Sequence, residues 1–258
     1  MILMGAWTWC RLPKWWRTKD DHMLVFDLIR TSTSSTSSCN CVTKVKLNVM
    51  EDPAPDPARV MVRDADGNEV TPEVIINAYW QRCFPMADTR KGRFRWYRPQ
   101  TRAVITWDAW KVPDSLDKVI RNRRPYRITF DVDFPAVIQS CALRDETWIS
   151  FGIEKLYIAL HHLGLAHSVE AWDADDQLVG GLYGVVLGAC FCGESMFHRA
   201  PDASKICAVH LVRRLQASGF RLLDCQQQTP HMGRFGAREI PDAEYARLLE
   251  DCQIQVPF

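Results

Sequence analysis

The chain lacks any apolar run long enough to span a bilayer, which takes about 20 residues; its most hydrophobic stretch, 178–193, is broken by glycines and ends at Glu194. It also lacks a surplus of either charge. Its 32 Lys and Arg face 31 Asp and Glu, a net charge of +1, and only the local distribution of cations can then argue for a polyanionic partner. Its 10 cysteines include no paired C-x-x-C. Cys39-x-Cys41 and Cys190-x-Cys192 are too closely spaced for ordinary zinc-ligand pairs, so no metal site is expected. Cysteines scattered through core-like segments read as reduced thiols, and a cytoplasmic setting is expected. Residues 1–16 hold tryptophans and Pro13 but no clean apolar segment ending in small residues, so they do not read as a secretory signal. With 47% hydrophobic and 24% charged residues, the composition is that of an ordinary globular protein of one large domain or two small ones.

The stretch 178–231 organises the rest. Gly180, Gly181, Gly184, Gly188 and Gly193 punctuate a buried-strand pattern where backbone must approach something closely. Glu194 interrupts it, and a carboxylate there is costly unless it meets a cation or a donor. Ile206, Val209, Val212 and Leu215 then repeat at helical spacing, with Asp202 or Ser204 to start the helix and Gly219 to stop it. Phe220–Leu223 reads as a strand delivering Asp224 and Gln226. Two apart in an extended chain, these are expected to point to the same side.

Upstream, residues 1–66 are expected to be a disordered extension, with a Ser/Thr tract at Thr31–Ser38 and Pro53, Pro55 and Pro57 after it. A start placed too early, with Met23, Met50 or Met61 as initiator, and a docking arm are the alternatives. Residues 67–112 are expected to form a small N-terminal α/β domain. In it Arg90, Lys91, Arg93, Arg95, Arg98 and Arg102 interleave with Phe94, Trp96 and Tyr97. That pattern suits a single-stranded nucleic acid, whose bases can stack on the rings for about 1–3 kcal/mol each; it equally suits a solvated strand with Trp96 in the core. Residues 113–125 read as a linker carrying Lys118, Arg121, Arg123 and Arg124, either phosphate contacts or a solvated face. Residues 126–258 read as the larger domain, an α+β arrangement with helices at 134–141 and 150–163. His161 and His162 are adjacent on the second helix, so they diverge by about 100° and make poor co-ligands. His167 and Glu170 read as parts of a hydrogen-bonded strand.

Several of these segments together resemble one family, the bacterial leucyl/phenylalanyl-tRNA–protein transferases. The matching strings are AYxxxxFPM at Ala78–Met86, HSVExW at His167–Trp172, GGLYG at Gly180–Gly184, GESMF at Gly193–Phe197, ASK at Ala203–Lys205, and GF…DCQ…PH…GAREI over Gly219–Ile240. They run collinearly over residues 68–250. The resemblance implies a fold like the Gcn5-related acetyltransferases for residues 126–258. Coenzyme A is not the expected acyl donor, because its usual Gln/Arg-x-x-Gly-x-Gly/Ala loop is missing. The donor would be aminoacyl-tRNA, a substrate, with no cofactor.

By this resemblance Asp224 and Gln226 are the catalytic pair, either with Gln226 orienting the attacking amine and Asp224 polarising it, or with a tRNA hydroxyl shuttling the proton and these residues positioning the acceptor. Glu194 and Asp224 receive a basic N-terminal residue, Arg or Lys, of an acceptor protein. Leu182, Phe191, Met196, Ala208 and Leu223 line the aminoacyl pocket or are simple core. Trp96 and Trp148 meet the tRNA 3′ end, and Arg121, Arg123 and Arg124 meet its backbone. The implied outcome is transfer of Leu, Phe or Met that marks proteins for N-end-rule degradation, by a monomer with no membrane partner. The sequence departs from the family pattern at Arg82, where a glycine is usual, at Arg98–Arg102, where SPDPR is usual, and at His198, where a small Ser is usual. Two other readings compete: a non-catalytic tRNA-end or N-terminus binding protein on the same scaffold, and an aminoacyl-tRNA-dependent enzyme of peptidoglycan branching. The latter proteins are longer, with a duplicated domain.

Overall fold

The structure is a computed structural model that describes residues 7–9, 56–123 and 125–258. The expectations for the rest of 1–66, and for Arg124, lie outside the described residues. In chain order the described elements begin with strand β1 (Trp7–Trp9), a 3-10 turn at Pro57–Arg59, strands β2 (Val62–Arg63) and β3 (Glu69–Val70), helix α1 (Pro72–Trp80), and strands β4 (Phe84–Ala87), β5 (Phe94–Pro99) and β6 (Thr101–Ile105). Helix α2 (Asp114–Asn122), strand β7 (Arg127–Phe130), helices α3 (Phe134–Ala142) and α4 (Phe151–His162), and strands β8 (Ala166–Trp172), β9 (Leu178–Leu187) and β10 (Cys190–His198) follow. The chain ends through helix α5 (Ala203–Ala217), strand β11 (Leu222–Gln226), helix α6 (Pro230–Gly233), strand β12 (Arg238–Pro241) and helix α7 (Asp242–Glu250).

The fold is mixed α and β, built on a seven-stranded sheet of order β12-β6-β11-β10-β9-β8-β7. Only β10 and β11 pair in parallel; the other neighbours are antiparallel. A crossover between parallel strands needs a long connection, here supplied by α5. Helix α5 starts after Asp202, which takes a left-handed conformation and makes no side-chain cap, and it stops ahead of Gly219. A three-stranded sheet, β1-β5-β4, and the β2–β3 hairpin complete the architecture.

Two boundaries differ from the sequence-based expectation. β6 falls within the segment assigned to a small domain, yet it is hydrogen-bonded into the large sheet between β12 and β11. The chain changes sheets at Gln100, between β5 and β6. Ordered structure also begins before residue 67: Asp64, 2% exposed, closes the β2–β3 turn by accepting from the Asp66 and Asn68 amides. Of the expected disordered extension, Trp7–Trp9 pairs with Tyr97–Pro99.

The large sheet is covered on both faces, and consecutive glycines show how. A Cβ on Gly180 would lie 2.5 Å from the Ala203 Cβ of α5, whereas one on Gly181 would meet Val137 of α3 and Phe197. Successive strand residues face opposite ways, so α5 covers one face and α3 the other. Ile206, Val209, Val212 and Leu215, the residues of the helical repeat, all enter one buried cluster with Val169, Leu182 and Leu223. Gly180→Ala should therefore overpack the α5 interface and cost about 1–3 kcal/mol. Urea unfolding should show a lower midpoint with an unchanged m-value; an unshifted midpoint would mean α5 is not seated so closely.

Candidate active site

The parallel pairing of β10 and β11 is short. It covers Cys190–Cys192 against Leu222–Asp224, after which the strands part. Register breaks at that point on both. Glu194 is the extra residue between Gly193 and Ser195 against β9, and Cys225 is the extra residue between Asp224 and Gln226 against β6. Bulges of this kind re-aim side chains. Here they turn Glu194 and Gln226 toward each other across the gap, with the Gln226 Nε2 donating to Glu194 Oε1 at 2.8 Å.

Glu194 is otherwise held by neutral donors. The Tyr157 hydroxyl donates to its Oε2 at 3.3 Å, and the Tyr79 hydroxyl lies 2.5 Å from that of Tyr157. Both tyrosines are fully covered, and burial beside the Glu194 charge keeps their phenols protonated well above the ordinary range. The residue Glu194 keeps some solvent contact, but its carboxyl group sits at the buried end among these rings. Burial pushes that carboxyl up to about 8, against the hydrogen bonds from the tyrosines and the more distant charge of Arg102. No cation touches it among the described residues.

Asp224 has the opposite surroundings. It is completely buried, and its Oδ2 accepts from the Tyr245 hydroxyl at 2.8 Å with Arg102 Nη1 at 3.3 Å. Arg102 is 2% exposed, lies over the rings of Phe84 and Tyr245, and donates from Nη2 to the Arg82 carbonyl at 3.0 Å. Burial opposes its charge, but the adjacent Asp224 outweighs that and holds the guanidinium protonated. The other Asp224 oxygen, Oδ1, accepts from the Gln226 backbone amide at 2.8 Å. The donor, Gln226, has φ +60°, a left-handed conformation that a non-glycine keeps only when its neighbours hold it.

Several expected roles change with this geometry. Asp224 and Gln226 do not share one side: the bulge and the left-handed turn send Asp224 inward to Arg102 and Gln226 outward to Glu194. Asp224 therefore polarises the Gln226 backbone rather than its side chain, and its charge is already matched internally, so of the two carboxylates only Glu194 lacks a cation. Arg102, read as part of a nucleic-acid tract, belongs to the core. Most of its companions are committed too: Arg90 to Glu154 and the Ile149 carbonyl, Arg95 to Asp88, and Arg98 to Asp242. Lys91 and Arg93 are exposed.

Trp96 does not offer a stacking face. It is 4% exposed, sits edge-on to Phe94 and donates its indole N–H to Asp64 at 3.2 Å. Trp148 is half-buried beside β4, where its carbonyl accepts from the Ala87 amide. Arg123 is exposed, and Arg121 is exposed and paired with Asp117. The five apolar residues do come together in one cluster, but as core: Leu182, Phe191, Ala208 and Leu223 are at most 4% exposed, and Met196 alone reaches the surface. An open slot is thus not preformed by them. His167 and Glu170 lie on β8 as read, His167 on Asp131 and Glu170 bonded to Thr129 and Ser168.

The sequence reading missed Tyr79, Tyr157, Arg102 and Tyr245. A usable signal existed for the tyrosines, since each falls on the apolar face of a helix and a buried hydroxyl needs a partner.

Two outcomes follow. A carboxyl raised on folding from 4.5 to about 8 binds its proton better in the folded chain, so its stabilising contribution is complete below about pH 4.5 and is lost as pH climbs to about 8. Glu194→Gln should therefore gain stability relative to the parent between pH 5 and pH 8.5 in denaturant titrations; an equal difference at both would sink the assignment. Arg102→Met should cost about 3–5 kcal/mol by leaving Asp224 unpaired, and adding Asp224→Asn should restore part of it, as a double-mutant cycle would show.

Comparison with known proteins bears on this site. Residues 104–250 match the family model described as leucyl/phenylalanyl-tRNA protein transferase. Proteins named leucyl/phenylalanyl-tRNA–protein transferase are similar to the chain: one from Rubrobacter xylanophilus at 52% identity over 182 residues, covering 70% of this chain and 94% of that one, and one from Akkermansia muciniphila at 47% over 187 residues, covering 71% and 96%. A third, from Herpetosiphon aurantiacus, is 50% identical over 181 residues, covering 70% and 93%. Among solved structures, L-PGS from Bacillus licheniformis overlaps 55% of this chain and 45% of its own with a TM-score of 0.33 and 11% identity, too little to argue from.

Proposed function

The chain belongs to the leucyl/phenylalanyl-tRNA–protein transferase family, and from that premise we propose that it moves Leu, Phe or Met from aminoacyl-tRNA to the α-amino group of proteins beginning with Arg or Lys. On this reading the modified proteins are marked for N-end-rule degradation in the cytoplasm, and residues 126–258 follow the plan of the Gcn5-related acetyltransferases. The parting of β10 from β11 supports that plan, since a gap between parallel strands lets donor and acceptor meet at one point. No helix among the described residues is long and apolar enough to cross a membrane.

The observation that carries the reading is the Glu194–Gln226 pair across the gap. An aminoacyl ester is already activated toward an amine, so alignment does most of the work and can contribute about 7–11 kcal/mol. The Gln226 amide nitrogen is bonded to Glu194, which leaves its oxygen to accept from the attacking amine and hold the lone pair toward the ester. The amine, with a free pKa of about 7.7–8.0, must shed a proton first. Glu194 is the carboxylate without a cation and receives the basic side chain of the acceptor. That side chain favours the ionised form of a group whose empty-site pKa is about 8, so binding and ionisation reinforce each other. Met196, at the exposed edge of the apolar cluster, is where the esterified side chain enters.

The test is transfer from charged leucyl-tRNA to two peptides that differ only in a first Arg or Ala. The Arg peptide should be labelled and the Ala peptide hardly at all. Glu194→Gln should raise KM for the Arg peptide tenfold or more, and Gln226→Ala should lower kcat by about 100-fold or more while tRNA binding persists. Equal labelling of both peptides would remove Glu194 from acceptor selection; tRNA binding without transfer by the unaltered chain would favour a non-catalytic binder.

A further inference from the structure

Beside the strand gap lies an open cleft of about 580 Å³. Its walls come from the turn after α3, the tip of β10, the start of α5 and α6, and they include Arg144, Met196, His198, Arg199, Lys205 and His231. Five of these six side chains are basic, and no carboxylate lines the cleft among the described residues. The arginines are anchored by neutral groups. Arg144 donates to the Met196 carbonyl and to Ser195 Oγ at 3.4 Å, and Arg199 donates to the Leu178 carbonyl at 3.0 Å and to Ser140 Oγ at 3.1 Å. Only Lys205 has a carboxylate partner, Asp202 at 2.6 Å. The crowding is felt at His231, whose imidazole is held below its ordinary pKa by burial and by the charges of Lys205, Arg234 and His198. A protein of nearly zero net charge thus places three fixed cations at one concavity, two of them, Arg144 and Arg199, without a carboxylate partner, and anions are drawn in there.

Position decides which anion. Met196 lines the cleft and also packs on the apolar cluster, so a group in the cleft and a side chain entering at Met196 lie within one molecule's reach. An acceptor that brings a cation to Glu194 would be repelled along these walls. The carrier of the ester is, in contrast, a polyanion. We propose that this cleft holds the phosphodiester backbone at the 3′ end of the aminoacyl-tRNA, Arg144, Arg199 and Lys205 meeting phosphates next to the aminoacyl side chain. Each guanidinium has five donors, so those already spent on carbonyls and hydroxyls leave others for phosphate oxygens. Such contacts fix position without reading sequence.

The inference rests on the transferase reading, and the experiment separates the two. A His198→Glu/Lys205→Glu double variant is compared with the parent using leucyl-tRNA, a 3′-leucyl-adenosine that carries no phosphate, and an Arg-initiated peptide. The expected result is a KM for leucyl-tRNA raised tenfold or more, with a shallower salt dependence, by about one unit of log–log slope per lost contact. The KM values for leucyl-adenosine and for the peptide should stay within twofold. An unchanged KM for leucyl-tRNA, or an equal rise for leucyl-adenosine, would overturn the proposal. So would a selective rise in KM for peptides with Asp at positions two to four, which would assign the cleft to the acceptor. Anisotropy of a fluorescent tRNA minihelix, which requires no transfer, should show tenfold weaker binding to the variant; unaltered binding overturns the cleft assignment even if the unaltered chain transfers nothing.

Discussion

The ion pair between Arg102 and Asp224 is the constraint on which the site depends. Two charges removed from water cost several kcal/mol each unless geometry and extra bonds offset it. Here Tyr245 donates to the carboxylate, two aromatic faces flank the guanidinium, and the Arg82 carbonyl accepts a hydrogen bond from Arg102 Nη2. With Asp224 fixed, its second oxygen can hold the Gln226 amide in a left-handed turn. That turn, with the bulge at Cys225, directs the Gln226 side chain across the gap to Glu194. A single buried pair thus joins β6, β11 and α7 and sets the direction of a side-chain amide two residues away.

The two carboxylates of the site differ in what satisfies them. Asp224 meets a cation within the core, where it acts on backbone. Glu194 meets tyrosine hydroxyls and an amide, which stabilise it less, so burial lifts its pKa to about 8. A carboxyl in that state binds an incoming cation at the expense of its own proton. On the transferase reading the acceptor therefore creates the charge that selects it, and uncharged termini leave Glu194 protonated and weakly bonded. The basic cleft near Met196 carries the opposite sign, and on the same reading a polyanionic donor and a cationic acceptor reach the gap by separate approaches.

Much of this was legible in residue order. The helix of α5, the glycine-punctuated strands and the convergence of Glu194 with Gln226 follow from periodicity and collinear motifs. The expectation failed where the outcome depended on which sheet a strand joins. Read along the chain, Arg102 is the last cation of a basic and aromatic tract; in space β6 leaves that sheet at Gln100 and delivers Arg102 beside Asp224. Of the two readings open for Trp96 the structure takes the core one, and its polar partner there, Asp64, lies in a segment with no strong pattern. Spacing puts Asp224 and Gln226 on one side only of a regular strand, and a bulge cannot be seen in side-chain spacing. Leu182, Phe191, Met196, Ala208 and Leu223 do share one cluster, but apolar composition does not distinguish a slot from a filled core.

Arg82 shows how a departure in sequence can be absorbed. It stands where the family resemblance leads one to expect glycine, and its φ of +65° is the conformation that glycine adopts freely. For another residue that conformation costs roughly 1–2 kcal/mol. The side chain offsets this by pairing with Asp242 at 2.8 Å, a carboxylate also held by Arg98 and placed in the first turn of α7, where negative charge is favoured. The Arg82 carbonyl meanwhile accepts from Arg102. The same residue therefore anchors α7, which carries Tyr245, and braces the guanidinium that Tyr245 helps to surround. An arginine at this turn does not loosen the loop; its side chain and carbonyl tie it to the pair that positions Gln226.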